Sequence, residues 1–165
     1  MILVLGGVSG SGKSRVGHQL AESTGGTFFD GDDFHPPANK EKMRRQQPLT
    51  DEDRLPWLES MAQLLKDRLD STEPTILACS ALKPEYRAIL RVDPKVKIAL
   101  LDVPREALIR RLASRKGHFF PPELLDSQLC TLIRPANEPN TRIIDGDRPI
   151  DQIAQDLVTW GTSES

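Results

Sequence analysis

The run Gly7-Val-Ser-Gly-Ser-Gly12-Lys13-Ser14 constrains this chain more than any other feature. It matches G-x-x-x-x-G-K-[ST] at every defined position. The apolar run Ile2–Leu5 precedes it and reads as a buried strand. Lys13–Ser23 follows it and reads as a helix, with Val16, Leu20 and Ala21 on one face and Gly25-Gly26 ending it. Glycines let the backbone curl, so that successive N–H groups of Gly7, Val8, Ser9, Gly10, Ser11 and Gly12 turn inward on phosphate oxygens. The helix starting at Lys13 adds the positive end of its dipole. Lys13 reaches the β and γ phosphates of a bound nucleoside triphosphate, and the Ser14 hydroxyl is placed to ligate Mg²⁺.

Short apolar runs alternate with longer amphipathic segments along the rest of the chain, the pattern of an α/β fold with a parallel sheet. Further strands are predicted at Thr27–Phe29, Thr75–Cys79, Val96–Leu101 and Ile143–Ile144. Helices are predicted at Pro36–Arg45, Asp51–Leu69, Pro84–Leu90, Arg105–Ala113 and Ile150–Trp160. Thr50 is the candidate N-cap of Asp51–Leu69, and Pro56 is expected to kink or detach its first turn. The polar stretch from Ser114 to Pro139 carries Pro121-Pro122. It is expected to form a mobile lid, about 114–139, with a short helix at Pro122–Leu132. A chain of 165 residues suits one domain, 1–165. Its 22 basic and 24 acidic residues leave a net charge of −2, which offers no general field for nucleic acid or an anionic membrane. Two cysteines, no long apolar run and no leader pattern point to the cytoplasm.

The second strand runs into Asp30-Gly31-Asp32-Asp33. Ligands of parallel sheets collect beyond the carboxyl ends of the strands, where the glycine loop also begins. Asp30 and Asp32, two apart in extended backbone, are expected on one side. Asp30 would hold Mg²⁺ through its water, and Asp32 would accept the proton of an acceptor hydroxyl. Asp33 reads as surface. The third strand ends in Cys79-Ser80 rather than an aspartate, and no N-K-x-D guanine motif is present. Both points favour a small-metabolite kinase over a motor ATPase or a GTPase.

Several blocks are narrower than the glycine loop: Asp30-Gly-Asp-Asp-Phe-His-Pro36, Asn39-Lys-Glu-Lys-Met43, Pro48-Leu-Thr-Asp-Glu-Asp-Arg-Leu-Pro-Trp-Leu58, Cys79-Ser-Ala-Leu-Lys83 with Tyr86-Arg87, and Arg115-Lys-Gly-His-Phe-Phe120. Together, over nearly the whole chain, they resemble the gluconokinase family, which is similar in fold to shikimate and adenylate kinases. The resemblance implies a P-loop NTPase three-layer fold with a five-stranded parallel sheet in order 2-3-1-4-5. It also implies helices on both faces, a lid over ATP, phosphorylation of D-gluconate to 6-phosphogluconate, and a homodimer. Two departures stand out: Gln46 where the family usually has glycine, and Ile133 where it usually has an acid.

Other candidates carry a bland reading beside the functional one. Arg54 is either an exposed helical arginine paired with Asp51, or the grip for the acceptor carboxylate. Lys83 and Ser80 lie near the end of the third strand, where acceptor contacts are expected. Arg87 is either part of a solvated basic face or an acceptor contact. His35 is either packing at a helix entry or an acceptor contact. Arg111 and Arg115, four apart, are either a solvated face or cations for the nucleotide and the transition state, with Arg115 taken as catalytic. His118 with Phe119-Phe120 would order a closed lid. Rivals to the kinase reading are a relative acting on another hydroxylated acid, a nucleotide-dependent binding module, and a polynucleotide kinase, which would want a basic groove.

Overall fold

The structure is a computed structural model and describes residues 1–117 and 120–163. The expectation for His118 and Phe119 lies outside the described residues. The strands are β1 (Ile2–Gly6), β2 (Thr27–Asp30), β3 (Thr75–Ala78), β4 (Val96–Asp102) and β5 (Thr141–Asp145). The helices are α1 (Lys13–Thr24), α2 (Pro37–Arg44), α3 (Asp51–Asp67), α4 (Pro84–Leu90), α5 (Arg105–Ala113), α6 (Pro122–Thr131) and α7 (Ile150–Thr162). The strands pair in parallel in the order β2-β3-β1-β4-β5, as the resemblance implied. β1 is central, with Ile2 level with Thr75 on one side and Val96 on the other.

Alternation along the strands divides the core. Ile2, Val4, Leu77 and Ile98 face a layer holding Trp57, Leu58, Met61 and Leu65 of α3 and Leu90 of α4. Leu3, Leu5, Ile76, Ala99 and Leu101 face Val16 and Leu20 of α1 and Ile153, Leu157 and Trp160 of α7. A third cluster joins Val8, Leu82 and Val103, beyond the strand ends, to Leu108 and Leu112 of α5 and Leu125 of α6. The segment expected to be a mobile lid is thus anchored on the body through α6. Its arm continues that anchoring: the Ile133 N–H donates to the Leu82 carbonyl at 2.9 Å.

Two local expectations are corrected. α3 runs unbroken through Pro56. A capping box sets its first turn, with the Asp53 N–H donating to Thr50 Oγ1 at 3.1 Å and the Thr50 N–H donating to Asp53 Oδ2 at 2.9 Å. Pro56 removes only the bond to the Glu52 carbonyl, and both residues lie on the exposed side. The second correction concerns Asp30 and Asp32. Gly31–Phe34 is a 3-10 turn, not extended chain, so strand alternation does not place them. The Asp30 side chain instead caps the turn, accepting from the Asp32 N–H at 3.0 Å. Gly31 is required there, because a Cβ would lie 2.6 Å from the Ala78 carbonyl.

Gln46 takes φ 57° and occupies the left-handed residue of a Schellman turn. The Gln47 N–H donates to the Lys42 carbonyl at 2.8 Å, and the Gln46 N–H donates to Met43 at 3.0 Å. The turn expected of glycine therefore forms with glutamine, at a backbone cost of about 1–2 kcal/mol. Gln46→Gly relieves that cost and returns part of it as unfolded-state entropy. The expected gain is about 0.5–1 kcal/mol, a rise in Tm of roughly 1–4 °C by calorimetry. An unchanged or lower Tm would contradict the strain.

Candidate active site

The loop between β1 and α1 sits at the carboxyl end of the central strand. Gly7 has φ 140°, and a Cβ there would lie 2.6 Å from Ser11 Oγ and 2.9 Å from the Leu101 carbonyl. Its N–H donates to the Ser80 carbonyl at 3.0 Å, and the Ser9 N–H donates to Gln128 Oε1 at 2.7 Å. This corrects the expectation for the first part of the loop: the Gly7 and Ser9 amides brace neighbouring segments and are not free for phosphate. The carbonyls of Gly7 and Val8 accept from Lys13 Nζ at 2.9 and 3.0 Å. The Ser11 N–H donates back to the Val8 carbonyl.

The N–H groups of Gly10, Gly12, Lys13 and Ser14 have no backbone partner among the described residues. α1 begins at Gly12 (φ 97°) with no side-chain cap and no acidic residue in its first turn. Ser11 Oγ is buried without a partner. Unmatched donors, an uncompensated dipole end and an orphaned hydroxyl all fit a bound polyphosphate.

Charges converge on Lys13. Its side chain is only partly buried, but Nζ is folded against the loop carbonyls. The ammonium is therefore desolvated, and its pKa is lowered to about 8. Asp32 and Asp30 pull that value up, while Arg115 pushes it down. Both carboxylates and Arg115 thus lie within electrostatic reach of Lys13. The Asp32 carboxyl is raised above the usual value, first by desolvation in the cleft and then by Asp30, with Lys13 opposing. Asp32 remains exposed by area, so desolvation sets the direction while the cleft stays open. Cys79 lies close by, but burial pushes its thiol up to about 12, so it stays a neutral thiol.

Arg111 bridges the glycine loop to the segment after β5. Nη2 donates to the Gly146 carbonyl at 2.9 Å and to Asp147 Oδ1 at 3.3 Å, and Nη1 donates to the Gly10 and Ser11 carbonyls at 3.3 and 3.4 Å. For a metal, Ser14 and Asp30 offer hard oxygens. No cluster of three or more His, Cys, Asp or Glu able to hold an ion exists among the described residues. Such a sparse oxygen set fits Mg²⁺, which takes few carboxylates and completes its shell with water and phosphate.

The acceptor candidates gather on the opposite side, around α3, α4 and the loop after β3. Arg54 does not pair with Asp51. Its Nη1 donates to the Leu49 carbonyl at 2.8 Å and to the Tyr86 hydroxyl at 3.4 Å, leaving Nε and Nη2 without a partner among the described residues. Lys83 Nζ bonds both Asp51 oxygens, at 2.9 and 3.2 Å, and the Tyr86 hydroxyl also donates to Asp51. His35 is buried and stacks on Trp57 with ring centroids 4.4 Å apart. Desolvation, Arg54 and Lys40 hold its pKa at about 4, so the ring is neutral. Asn39 Nδ2 donates to the Asp53 carbonyl at 2.7 Å and lies 3.2 Å from His35 Nδ1. Nδ1 is therefore the acceptor, and Nε2 carries the proton.

Arg87 is the acceptor candidate that the structure does not bring to the site. It is completely buried, and its donors are spent on Glu138, Ala81 and Ile133. The spacing to Lys83 placed it on the right helix, but the core takes up its side chain. A surface cavity of about 570 Å³ lined by Asp102, Pro104, Leu129 and Ile143 holds none of the site residues.

The chain is similar in sequence and fold to known kinases. The shikimate kinase family model matches residues 9–159. The gluconokinase of Gluconobacter oxydans (strain 621H) is 41% identical, with 94% of this chain and 88% of its own length covered. The chain belongs to the shikimate kinase family, among the gluconokinases. A crystal structure of a gluconokinase from Sinorhizobium meliloti 1021 is 41% identical, covers 97% of this chain and 90% of its own, and superposes with a TM-score of 0.83. An unliganded sugar kinase from Janibacter sp. HTCC2649 gives 0.87 at 43% identity, covering 96% and 92%. Membership in this kinase family implies use of a nucleotide. No helix among the described residues is long and apolar enough to cross a membrane.

Sequence reading missed Tyr86, Asp51, Asn39 and Gln128 as parts of this site. Tyr86 and Asp51 were legible as spacings from Lys83 and Arg54, whereas Gln128 meets Ser9 from 119 residues away and carried no local signal.

The lowered Lys13 pKa has a kinetic consequence. The ammonium is charged below about pH 8 and is lost as pH rises through that value. Because kcat/KM reports the free enzyme, kcat/KM for nucleotide should fall above about pH 8. Bound polyphosphate favours the charged form, so the falling limb of kcat should lie at higher pH. A kcat/KM profile flat through pH 9.5 would contradict the placement of Lys13.

Proposed function

We propose that this protein phosphorylates the terminal hydroxyl of D-gluconate with ATP and Mg²⁺, yielding 6-phospho-D-gluconate and ADP. The observation that carries the reading is the set of free loop amides beside Lys13, with Asp32 within electrostatic reach of its ammonium and Arg54 keeping two donors unpartnered among the described residues. The kinship with gluconokinases selects gluconate among hydroxy acids.

In this reading the amides of Gly10, Gly12, Lys13 and Ser14 and the dipole of α1 hold the phosphates in place. Ser14 and Asp30 would hold Mg²⁺, which would draw charge from the phosphate oxygens of ATP. Asp32 accepts the proton of the terminal hydroxyl as that oxygen bonds to the γ-phosphorus and the bond from phosphorus to the ADP oxygen breaks. A carboxylate of raised pKa is better suited to this than an ordinary one. Lys13 and Arg115 offset the charge that spreads over the transferring group. Arg111 fixes the loop against Gly146–Asp147 at the nucleotide end. Arg54 and Lys83 bind the gluconate carboxylate. His35 donates from Nε2, and Ser80 and Tyr86 meet hydroxyls.

The defining experiment is coupled ADP release across gluconate, shikimate and nucleoside monophosphates. Gluconate should be turned over with the highest kcat/KM, and a higher value for shikimate would overturn the substrate assignment. Asp32→Asn keeps size but cannot take the proton, so kcat should fall by about 10²–10⁴ with ATP affinity nearly unchanged. A loss of only a fewfold with normal gluconate binding would exclude the base. Arg54→Ala removes a charge-assisted contact worth roughly 1.5–3 kcal/mol. The KM for gluconate should then rise about ten- to a hundredfold while that for ATP holds. Weakening of ATP alone would move Arg54 to the nucleotide side.

A further inference from the structure

The loop Ser80–Lys83 makes an unusual set of main-chain bonds. Three successive carbonyls are each held by a different part of the chain. Ser80 accepts from the Gly7 N–H of the glycine loop at 3.0 Å, and Leu82 accepts from the Ile133 N–H of the arm after α6 at 2.9 Å. Between them, Ala81 accepts from Arg87 Nη1 at 2.9 Å. Ala81 is fully buried with φ 45°, a left-handed conformation that a residue with a Cβ avoids unless its surroundings impose it.

Arg87 imposes it from beneath. Besides Ala81, its Nη2 donates to the Ile133 carbonyl at 2.8 Å and to Glu138 Oε1 at 2.6 Å, and Nε donates to Glu138 Oε2 at 2.8 Å. Glu138 is bidentate to this guanidinium and also accepts from Arg91 Nη2 at 3.2 Å. The pairing keeps the carboxylate ionised, with a depressed pKa. One planar fork thus spans the loop after β3 and the arm that returns from α6. A lysine, with a single nitrogen, cannot hold three such acceptors in this geometry.

We infer that Arg87, locked by Glu138, is a positioning residue for the acceptor: it sets Ser80 and Lys83 in the cleft by fixing the Ala81 carbonyl between the glycine loop and the 132–138 arm. The inference rests on the acceptor reading given above. It assigns Arg87 a role quite different from direct contact, because a side chain with no exposed surface cannot touch gluconate. The Gly7–Ser80 bond explains why this matters to phosphoryl transfer. The acceptor loop is registered on the nucleotide loop at one end and on Arg87 in the middle, so its displacement draws Ser80 and Lys83 away from the acceptor while Lys13 and Ser14 keep their places.

The test is Arg87→Lys, which keeps the charge beside Glu138 but gives up the fork. In the folded variant, checked by its melting transition, the KM for gluconate should rise roughly 10- to 100-fold while the KM for ATP stays within twofold. The backbone amide resonances of Ser80, Ala81 and Leu82 should move, and those of Lys13 and Ser14 should hold. A purely structural ion pair predicts the opposite: lysine restores both KM values, and only the melting temperature falls. Unchanged gluconate KM with unmoved Ser80–Leu82 resonances, or equal weakening of both substrates, would overturn the inference. If Arg87→Lys does not fold, Glu138→Gln, which unlocks the fork but leaves it present, is measured in the same way and judged by the same outcomes. If the parent enzyme does not turn over gluconate, the acceptor reading fails by itself, and the amide resonances still decide the positioning of the loop.

Discussion

The structure is organised around an uncompensated helix N-terminus. Gly12 gives α1 no side-chain cap, and its first turn carries no acid, so the amides of Gly12, Lys13 and Ser14 are left without a backbone partner among the described residues at the positive end of the dipole. A helix end in that condition is stable only if something else holds the backbone. Here β1 does so: it lies in the middle of the sheet, paired on both sides and buried throughout. The loop is stretched between that rigid strand and the helix packed beneath it. Lys13 turns back on the carbonyls of Gly7 and Val8, and Ser9 is clasped by Gln128.

Electrostatics follow from that placement. A desolvated ammonium with a lowered pKa faces a carboxylate with a raised one, and each moves the other toward its charged form. Asp30 serves twice, capping the turn that carries Asp32 and adding negative charge near Lys13. The acceptor side is arranged differently. Lys83 and Tyr86 are tied to Asp51, whereas Arg54 keeps donors in reserve, and His35 is held neutral between Trp57 and Asn39. A ring whose pKa is held at about 4 keeps one defined donor throughout the physiological pH range.

Strain is stored in two places, with different consequences. Gln46 carries its left-handed φ on an exposed turn, where the only effect is a cost in stability. Ala81 carries the same kind of φ in the buried loop beside the glycine loop, where three partners over-determine it. Strain that the surroundings hold in place beside a site is a positioning device.

Much of this was legible in the sequence alone. The alternation of short apolar runs and longer amphipathic segments placed the five strands and seven α-helices of the described residues to within a few residues. The spacing of Gly7, Gly12, Lys13 and Ser14 located the nucleotide edge. These features depend on backbone geometry within one or two turns of chain, so neighbouring residues suffice to reveal them. The expectation that strand alternation puts Asp30 and Asp32 on one side did not hold, because a 3-10 turn begins at Gly31. Local spacing offered no means of separating Lys83, which pairs with Asp51 nearer the surface, from Arg87, four residues on, which is drawn into the core. Arg87 finds Ile133 and Glu138 46 and 51 residues away, and Gln128 finds Ser9 across 119. Only the tertiary structure decides such contacts: a charged side chain goes wherever its partners are brought together, and distant segments bring them.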